Sequence, residues 1–495
     1  MDFFQELTLG EKKGVPFYRL YINGEWMESA KNESFEVFNP ADGGLVAHVA
    51  KSGVNEAAKA VEAAFLARSA MEDLSPFERS EILLKAADLL IQYQDCLSER
   101  IVLEAGKPIT DAYHELAAGI KRLQFGAEEA RSIKGEYLPG GTTSADGKNK
   151  WGIVLRKPLG VVLGITPFNY PLFIPLSKIV PALAAGNTIV LKPASDDPTP
   201  ALYLAQIFAE AGLPAGALNV LTGGGAEVGD YLVSHPKIDM VSFTGSTQVG
   251  RRIAEKAVFA KLHLELGGKS PAIISQKADL DFAAKESVKG ALKFSGQRCD
   301  AISRLLVEEP VYKEFVEKVI EEVKKWKAGD PKDPAIQVGP LINEAGLKKV
   351  LMLVNDALDK GAILELGEEL NEQQGLLVKP IVLSGVTPHM RIAWEETFGP
   401  VVTVIRVKNL DEALDITNQS EFGLDSSIFT QDVDEALYFA RHLQSGTVQV
   451  NGAPAHGVGD FPFGGDEESG LGREGIGLSV DEMSRMHTVV FNPRK

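Results

Sequence analysis

Residues 161–193 read VVLGITPFNYPLFIPLSKIVPALAAGNTIVLKP, and they give the clearest indication of the fold class. The apolar run 161–166 predicts a short buried strand, and 187–193 predicts a second one. Between them, residues 171–186 predict a helix that ends at Gly186. A strand, a helix and a strand of these lengths are typical of a right-handed βαβ unit, so both strands should lie parallel in one sheet.

The same alternation continues on the C-terminal side. Residues 199–212 predict a helix and 217–223 predict a strand. The predicted strand 240–245 is followed by a helix that opens at Ser246. A second run of alternating strands and helices covers about 264–460. Repeated βαβ units predict an α/β fold with parallel sheets.

Helical patterns dominate the predicted structure on the N-terminal side, where amphipathic stretches predict helices at 54–69, 78–105 and 107–132. A polar, turn-rich stretch at 138–150 separates this helical part from the β-rich part. The tail, HTVVFNPRK at 487–495, predicts one late strand that is far from its sequence neighbours and can pair elsewhere.

Composition and charge limit the class of protein. The chain has 495 residues, which at about 150 residues per domain suggests about three domains. Hydrophobic residues make up 44% and charged residues 24%, which is typical of a soluble globular protein and excludes a mainly disordered or collagen-like chain. The net charge of −17 repels nucleic acid and anionic membranes, so we expect neither as a partner.

Cysteine use and the N-terminal sequence bear on the compartment. Two cysteines, Cys96 and Cys299, exclude a disulfide framework and suit a reducing compartment. The opening MDFFQELTLGEKKG lacks the basic and apolar regions of a secretory signal, and no stretch of uncharged apolar residues is long enough to span a membrane. We therefore expect a cytoplasmic protein.

Several motif matches lack the context that their function requires. Gly470–Gly475, GLGREG, matches the dinucleotide pattern G-x-G-x-x-G, but an acidic loop precedes it and too little chain follows, so we interpret it as a mobile loop. Gly268–Ser270 resembles the end of a phosphate-binding loop, but His263 occupies the place of the required glycine. The histidines form no H-E-x-x-H pattern, so no metal site is predicted.

Cys299 lies in the turn-like segment 294–300, FSGQRCD, after a predicted helix. A free thiol is most often a buried structural residue. Glycine, glutamine, arginine and aspartate are poor neighbours for a core, however, and the Arg298 guanidinium would favour the thiolate, which is the nucleophilic form. The local residues alone leave a reactive and a structural cysteine as equal alternatives.

Two polar residues follow predicted strands closely. Glu265 lies between leucines, where burial would raise the pKa of its carboxyl toward neutrality, although an exposed strand glutamate is the simpler alternative. The two glycines at 267–268 permit close approach of another backbone or of a ligand. The Asn169 amide can donate to a developing oxyanion, although a turn residue before Pro171 is the simpler alternative.

Taken together and in this order, these three segments resemble the aldehyde dehydrogenase superfamily over nearly the whole chain. The resemblance continues at SFTGST (242–247), EETFGP (395–400) and PFGG (462–465). It implies a Rossmann-like cofactor domain, an α/β catalytic domain and a β-ribbon oligomerisation element. The implied bounds are, in that order, 1–132 with 157–263, 264–463, and 133–156 with 464–495. The C-terminal strand would pair across the interface of a homodimer or homotetramer.

The resemblance also implies NADP or NAD, held differently from the usual Rossmann manner. The residues implied to bind this cofactor are Thr166, Pro167, Phe168, Lys192, Ser195, Gly245, Ser246, Glu396 and Phe398. Many members have tryptophan where this chain has Phe168. NAD-preferring members commonly have a glutamate in place of Ser195, and its charge would repel a 2′-phosphate, so we expect NADP to be used at least as well as NAD.

The chemistry implied by the resemblance is oxidation of an aldehyde to a carboxylate. Cys299 would add to the carbonyl, Asn169 and the Cys299 N–H would hold the oxyanion, and hydride transfer would leave a thioester. Glu265 would then activate a water that hydrolyses the thioester, and its presence favours hydrolysis over transfer to coenzyme A. A cysteine hydrolase that uses Cys299 with a histidine, and an inactive structural relative, are the alternatives from other classes.

Within the superfamily, Gly-Gln-Arg-Cys resembles the non-phosphorylating glyceraldehyde-3-phosphate dehydrogenases, notably archaeal-type members with Asp after the cysteine. This implies glyceraldehyde 3-phosphate as substrate and 3-phosphoglycerate as product. The residues implied to bind substrate are Tyr170, Arg298, Asp300 and His456. Bacterial members have a further arginine where this chain has 455–457, AHG. Succinate semialdehyde, lactaldehyde and glyceraldehyde are alternative substrates, and an ion pair between Arg298 and Asp300 is the alternative to a phosphate contact.

Overall fold

The computed structural model describes residues 3–367, 375–455 and 461–493. The strands in these ranges are, in chain order, β1 Thr8–Lys12, β2 Val15–Tyr18, β3 Leu20–Ile22, β4 Glu25–Met27, β5 Ser34–Phe38, β6 Leu45–Ala50, β7 Glu136–Pro139, β8 Trp151–Pro158, β9 Val161–Ile165, β10 Thr188–Lys192, β11 Leu218–Val220, β12 Met240–Thr244, β13 Lys261–Glu265, β14 Ser270–Ile274, β15 Ile302–Glu308, β16 Ile363–Leu366, β17 Ile381–Val386, β18 Val401–Val407, β19 Phe422–Gly423, β20 Asp425–Phe429, β21 Thr447–Val450, β22 Asp466–Glu467, β23 Gly470–Leu471 and β24 Ser484–Phe491.

The α-helices in the same ranges are α1 Val54–Asp73, α2 Pro76–Gln92, α3 Gln94–Ala105, α4 Ile109–Ser132, α5 Phe173–Ala184, α6 Thr199–Glu210, α7 Asp230–Val233, α8 Thr247–Lys256, α9 Leu280–Leu292, α10 Tyr312–Val323, α11 Glu344–Asp359, α12 Leu410–Asn418, α13 Val433–His442 and α14 Ile476–Glu482.

The largest sheet has eight strands in the order β23-β13-β12-β9-β10-β11-β3-β4. Its five central strands are parallel, as the alternation of strands and helices predicted. Among these five parallel strands, β9 comes first in the chain. The chain then adds β10 and β11 on one side of β9 and afterwards crosses to add β12 and β13 on the other side. In such doubly wound sheets, ligands bind outside the carboxyl ends of the strands where the winding reverses, here at β9 and β12.

A second sheet has seven strands in the order β16-β17-β18-β15-β14-β20-β21, and all of them are parallel except β16. The short segment 266–269 carries the chain from β13 in the first sheet to β14 in the second. The last three residues of β13 and all of β14 are buried, so packing fixes the chain on each side of this segment. The predicted α/β fold is confirmed.

The tail strand pairs with the polar hairpin of the middle of the chain. Strand β24 lies antiparallel to β8 over eight residue pairs, from Ser484 opposite Pro158 to Phe491 opposite Trp151, and β7 completes a three-stranded sheet. The rings of Trp151 and Phe491 stack with centroids 3.9 Å apart. The late strand therefore finds its partner within the same chain. Pairing across a subunit interface, and the domain bounds given above, remain predictions.

The N-terminal part differs from its predicted helical character. Strands β1 to β6 precede the first helix, and four of them form a separate sheet in the order β1-β2-β6-β5. They are only three to six residues long, too short for a clear period-two pattern. The predicted helix 78–105 is two helices, because Tyr93 leaves helical geometry and its ring stacks on Phe3 at 4.3 Å.

The segment 470–475 was interpreted as a mobile loop, and this interpretation is wrong. Leu471 and Gly470 pair with β13 as the edge strand of the large sheet, opposite Leu264 and Glu265. Glu474, three residues later, is buried. The two-residue strand β23 gave no pattern in the sequence, since only its pairing with the distant strand β13 stabilises it.

The connecting segment passes close to the Cys299 loop at Gly268. A Cβ atom on Gly268 would collide with the carbonyl oxygen of Cys299 and would also lie 3.2 Å from the Leu424 side chain. A glycine is required here because a backbone, which cannot turn away as a side chain can, occupies the space of the missing Cβ. The predicted close approach at 267–268 is therefore a backbone contact with the loop of the candidate nucleophile.

We expect Gly268→Ala to displace the Cys299 loop and to lower the free energy of unfolding by about 1–3 kcal/mol, because overpacking forces backbone shifts. Thermal unfolding would show the loss of stability, and the labelling rate of Cys299 by a thiol reagent would report the displacement. Gly224→Ala is the matched control, since no heavy atom lies within 4 Å of the added Cβ. Equal stability and equal labelling in the two variants would contradict the assignment.

Candidate active site

Two cavities meet at Cys299. The first, which we term the sheet-end cavity, lies at the carboxyl ends of β9 and β12 and includes the segments 166–169 and 243–246 in its wall. The second, which we term the polar cavity, is lined by many ionisable side chains, among them Glu265 and Arg298. The side chains or backbone of Cys299, Asn169 and Thr244 line both cavities. A group bound in one cavity can therefore touch a group bound in the other at the thiol.

Most residues predicted to bind a dinucleotide line the sheet-end cavity: Thr166, Pro167, Phe168, Gly245, Ser246, Glu396 and Phe398. Ser246 caps α8 by accepting a hydrogen bond from the Val249 N–H at 3.4 Å, so the helix N-terminus opens on this cavity. Unpaired N–H groups and the helix dipole at such a terminus favour an anion. A Cβ on Gly245 would lie 2.5 Å from the Phe243 ring, which explains the glycine at the turn.

Glu396 and Phe398 form the opposite wall of the sheet-end cavity. The Glu396 carboxylate accepts a hydrogen bond from the Gly268 N–H at 3.3 Å and lies 3.8 Å from the Lys349 ammonium. Burial raises the pKa of Glu396, and Lys349 opposes this increase. Phe398 has a φ of 55°, an uncommon conformation for a residue with a side chain, and its ring meets the Phe168 ring edge to face at 5.9 Å.

Lys192 and Ser195 lie beside the sheet-end cavity, whose wall is formed there by Ala194 and Asp196. The Lys192 ammonium is buried at the end of β10, and burial lowers its pKa to about 8. Ser195 does not cap α6, which begins at Thr199; its hydroxyl donates to the Gly223 carbonyl at 3.0 Å. Neither side chain lines the cavity itself, so a contact of Lys192 or Ser195 with a bound cofactor stays a prediction.

Three successive residues with positive φ hold the Cys299 loop: Phe294 at 48°, Ser295 at 56° and Gly296 at 70°. Ser295 donates a hydrogen bond to the Gly339 carbonyl at 2.8 Å, and a Cβ on Gly296 would collide with the Gly399 carbonyl. Such conformations cost free energy and persist only where the surrounding structure enforces them. The thiol is therefore rigidly placed at the junction of the two cavities.

The electrostatic environment of Cys299 differs from the sequence-based expectation. Burial raises the pKa of the thiol well above its usual value, and Asp300, Glu265 and Glu396 add to this, while Arg298 acts in the opposite direction. The neighbouring guanidinium alone therefore does not make the thiolate the resting form. A base must take the thiol proton when the sulfur attacks.

Two N–H donors, the Asn169 amide and the Cys299 backbone N–H, belong to residues that line both cavities. The Asn169 amide nitrogen gives one of its hydrogens to the Gln297 carbonyl at 2.9 Å and retains a second hydrogen. No described residue accepts a hydrogen bond from the Cys299 N–H. Asn169 thus turns toward the thiol loop and is more than a turn residue before Pro171.

Glu265 is buried at the end of β13 and lines the polar cavity. Burial raises the pKa of its carboxyl, whereas the nearby His263 lowers it. His263 Nε2 lies 3.2 Å from Glu265 Oε1. The carboxylate is thus neither an exposed strand glutamate nor an isolated buried acid.

Arg298 and Asp300 form a buried ion pair, with Nη2 2.8 Å from Oδ2, and the same nitrogen donates to the Pro454 carbonyl at 3.1 Å. No described residue accepts a hydrogen bond from the remaining guanidinium nitrogens, Nε and Nη1. The Tyr170 ring lies in the same cavity, and burial raises the pKa of its hydroxyl. His456, the fourth residue predicted to bind substrate, lies outside the described residues.

The polar cavity contains cations that sequence reasoning missed. Lys107 pairs with Glu115 and lies 3.9 Å from the centroid of the Tyr170 ring. Lys293 lines the same cavity, and no side chain of the described residues forms an ion pair or hydrogen bond with it. Burial lowers the pKa of Lys293, Asp111 opposes this decrease, and Arg298 and Lys107 add to it. The place of Lys293 six residues before the thiol was the available signal.

The described ranges contain neither a metal-binding cluster nor a membrane-spanning helix. No group of three or more histidine, cysteine, aspartate or glutamate side chains there is arranged to hold a metal ion. None of the described helices combines the length and hydropathy that crossing a bilayer requires.

Known proteins are similar to this one over most of its chain. Residues 26–489 match the aldehyde dehydrogenase family. An NADP-dependent glyceraldehyde-3-phosphate dehydrogenase from Streptococcus equinus is 40% identical over 479 residues, which cover 97% of this chain and 99% of the relative. A 3-sulfolactaldehyde dehydrogenase from Priestia aryabhattai is 38% identical over 480 residues, covering 97% of this chain and 98% of the relative.

The fold also closely matches that of a solved structure. The crystal structure of NADP-dependent glyceraldehyde-3-phosphate dehydrogenase from Bacillus halodurans C-125, complexed with NADP, superposes with a TM-score of 0.93 at 40% identity. The match covers 96% of this chain and 99% of that one. The chain therefore belongs to the aldehyde dehydrogenase family.

Proposed function

We propose that the protein oxidises an aldehyde bearing a terminal anion to the carboxylate, with NADP as the hydride acceptor and a thioester on Cys299 as the intermediate. The observation that carries this proposal is that Cys299 is shared by two cavities, one with a helix N-terminus and one with cationic side chains. Glu265 and Asn169 lie on the walls beside the thiol, where the two half-reactions need them.

The first half-reaction uses the thiol and the two N–H donors. The Cys299 sulfur forms a bond to the aldehyde carbon while its proton passes to a basic group of the cavity wall and from there to solvent, which leaves Glu265 ionised for the second step. The Asn169 amide and the Cys299 N–H donate to the resulting oxyanion. When bound, a nicotinamide cofactor supplies the hydride acceptor, and loss of hydride from carbon leaves the thioester.

The second half-reaction is hydrolysis of the thioester. Glu265 takes a proton from water as the water oxygen bonds to the acyl carbon, and the carbon–sulfur bond then breaks to release the carboxylate and regenerate the cysteine. A buried carboxylate of raised pKa suits this role, because it holds the proton it has taken.

The side chains beside the sheet-end cavity support NADP as the cofactor. The turn at 245–246 and the N-terminus of α8 suit the pyrophosphate, and the Glu396 carboxylate suits a ribose. Ser195 offers a hydroxyl and Lys192 a positive charge where a 2′-phosphate would need them. The Streptococcus equinus relative is NADP-dependent, and the Bacillus halodurans structure contains NADP, in agreement with this proposal.

The cations of the polar cavity support a substrate with a terminal tetrahedral anion. Arg298 has two guanidinium nitrogens without a described partner, and Lys293 forms no described ion pair or hydrogen bond, although the charge of Asp111 acts on it from the same cavity. Glyceraldehyde 3-phosphate is the leading substrate, in agreement with the Streptococcus equinus relative. The Priestia aryabhattai relative acts on 3-sulfolactaldehyde, whose terminal sulfonate is also a tetrahedral anion. Succinate semialdehyde carries a planar carboxylate and is the second candidate.

The three-stranded ribbon supports self-association into a homodimer or homotetramer. Its exposed apolar side chains include Tyr137 at 65% exposure and Met486 at 71%. Exposed apolar side chains clustered on one element mark an interaction surface. A reduced Cys299 is essential to the proposed chemistry, which supports the cytoplasm as the compartment.

We expect the purified protein to reduce NADP with glyceraldehyde 3-phosphate, and Cys299→Ala to abolish this activity while cofactor binding is retained, because the thiol forms the covalent bond to substrate. The absorbance of the reduced nicotinamide measures turnover, with NADP and NAD compared side by side. Cys96→Ala, which changes an exposed cysteine, is the control and should retain full activity. Turnover in the Cys299 variant would exclude the thioester mechanism.

Glu265→Gln should separate the two half-reactions. Hydrolysis of the thioester should slow by about 10²–10⁴-fold, the usual loss when a general base is removed. Rapid-quench kinetics should then show a burst of one equivalent of reduced cofactor per site, followed by slow turnover. Glu255→Gln, on the exposed face of α8, should behave as the wild type. Disappearance of the burst would assign Glu265 mainly to deprotonation of the thiol.

Arg298→Ala should lower the ratio of kcat/KM for glyceraldehyde 3-phosphate to that for glyceraldehyde by about ten- to 150-fold, the worth of one charge-assisted contact. Lys293→Gln should lower the same ratio, because it removes the second cation. The ratio cancels any general effect on the thiol. Lys289→Gln, an exposed lysine outside the cavity, is the matched control. An unchanged ratio in both variants would exclude a terminal anion at this position.

A further inference from the structure

His263 and Glu265 lie two residues apart on β13, so their side chains point to the same face of the sheet. His263 Nε2 is 3.2 Å from Glu265 Oε1. On its other side, His263 Nδ1 is 2.6 Å from Oε2 of Glu482, the last residue of α14. The imidazole is buried and lies between two carboxylates, one in the active site and one near the surface.

The Glu265 carboxylate depends on His263 for compensation of its charge. Neither of its oxygens has a hydrogen bond of ordinary geometry from a described residue. Among the described residues, His263 is the one cationic side chain within 4 Å of this carboxylate. Lys178 is nearby but forms its ion pair with Glu474 at 2.5 Å. A buried carboxylate without hydrogen bonds or a counter-charge favours the protonated form.

Other ionisable groups lie around His263 and Glu265. Their effects on the protonation of the imidazole oppose one another. Lys178 on α5 disfavours the imidazolium, while Glu474 lies 3.8 Å from His263 Nε2 and favours it. The remaining groups that act on the pair or on Glu474 are Arg122 on α4, Cys299, and Asp425 on β20. The direct contacts with Glu265 and Glu482 are the shortest of these to the imidazole.

We propose that His263 is a positioning residue for thioester hydrolysis: as an imidazolium anchored by Glu482, it holds the general base Glu265 in its ionised form and directs one of its oxygens. This inference rests on the proposed role of Glu265 as the base. It assigns an indirect role in the reaction to His263 on β13 and to Glu482 on α14. Neither of these side chains lines one of the two cavities. Strand β23 pairs with β13 and leads into α14, and it so connects the elements that carry His263 and Glu482.

The sign of the pH effect follows from the charges. Burial lowers the pKa of His263, but the contacts with Glu265 and Glu482 outweigh burial and raise it to about 9. The imidazole is therefore cationic at neutral pH and lowers the pKa of Glu265 from the value that burial alone would set. Removing the cation should raise the pKa of Glu265. Because only the carboxylate can accept a proton from water, the acid limb of hydrolysis should move to higher pH.

The test is the pH dependence of the two half-reactions in His263→Gln. Rapid quench should show an unchanged burst amplitude, whereas the acid limb of the hydrolysis rate should move upward by about one pH unit, which is about a tenfold slower rate at pH values on that limb. Glu482→Gln should shift the limb in the same direction by less, since it removes only the anchor. His235→Gln, a partly buried histidine outside the site, is the matched control and should not shift it.

Several outcomes would overturn the proposal. Comparing the His263, Glu482 and Glu265 variants distinguishes these outcomes from failure of the proposed function. If Glu265→Gln abolishes hydrolysis but His263→Gln leaves the limb in place, Glu265 is the base and His263 does not tune it. If His263→Gln lowers the thermal midpoint and the burst amplitude without a shift, its role is structural. If His263→Gln does not fold, Glu482→Gln decides, and an unshifted limb there excludes the proposal. If Glu265→Gln retains the wild-type hydrolysis profile, the proposed base itself is wrong.

Discussion

The contact between the Gly268 backbone and the Cys299 carbonyl is the constraint on which the rest of the site depends. Segment 266–269 joins the two large sheets, and it can pass the Cys299 loop only because position 268 has no side chain. This passage brings the end of β13, which carries Glu265, beside the loop that carries the thiol. It also places the Gly268 N–H against Glu396 in the sheet-end cavity. One close approach between backbones thus unites residues from three distant parts of the chain.

Burial sets the chemistry of the site more strongly than any single neighbour does. Desolvation is the largest influence on the pKa values of Cys299, Glu265 and Glu396, and it favours the neutral form in each case. The counter-charges of Arg298, His263 and Lys349 oppose it without contacting one another. Because each acid has its own cation, the protonation states of the three groups can differ at one pH, as a two-step reaction requires.

The polar cavity shows how a family fold accommodates a particular kind of substrate. Arg298 is held in place by Asp300 and the Pro454 carbonyl, which leaves its other nitrogens for a ligand. Lys107, in the turn between α3 and α4, and Lys293, in the segment that follows α9, add positive charge. A phosphate or a sulfonate at the end of a short aldehyde has the charge and shape for such a cavity. This agrees with the two kinds of relative, which act on a phosphorylated and a sulfonated aldehyde.

The sequence by itself determined the α/β class and the parallel order of β9 and β10, and its resemblance to the family pointed to Cys299, Glu265 and Asn169. Those features depend on local periodicity and on motifs whose spacing is fixed along the chain. The tertiary structure alone decided the partners of β23 and β24, the division of 78–105 into two helices, and the charges around each acid. His263 and Glu482 gave no signal in the sequence, because their roles depend on contacts between residues far apart in the chain. A burial-dependent pKa is likewise a property of the surrounding packing, and no run of neighbouring residues specifies it.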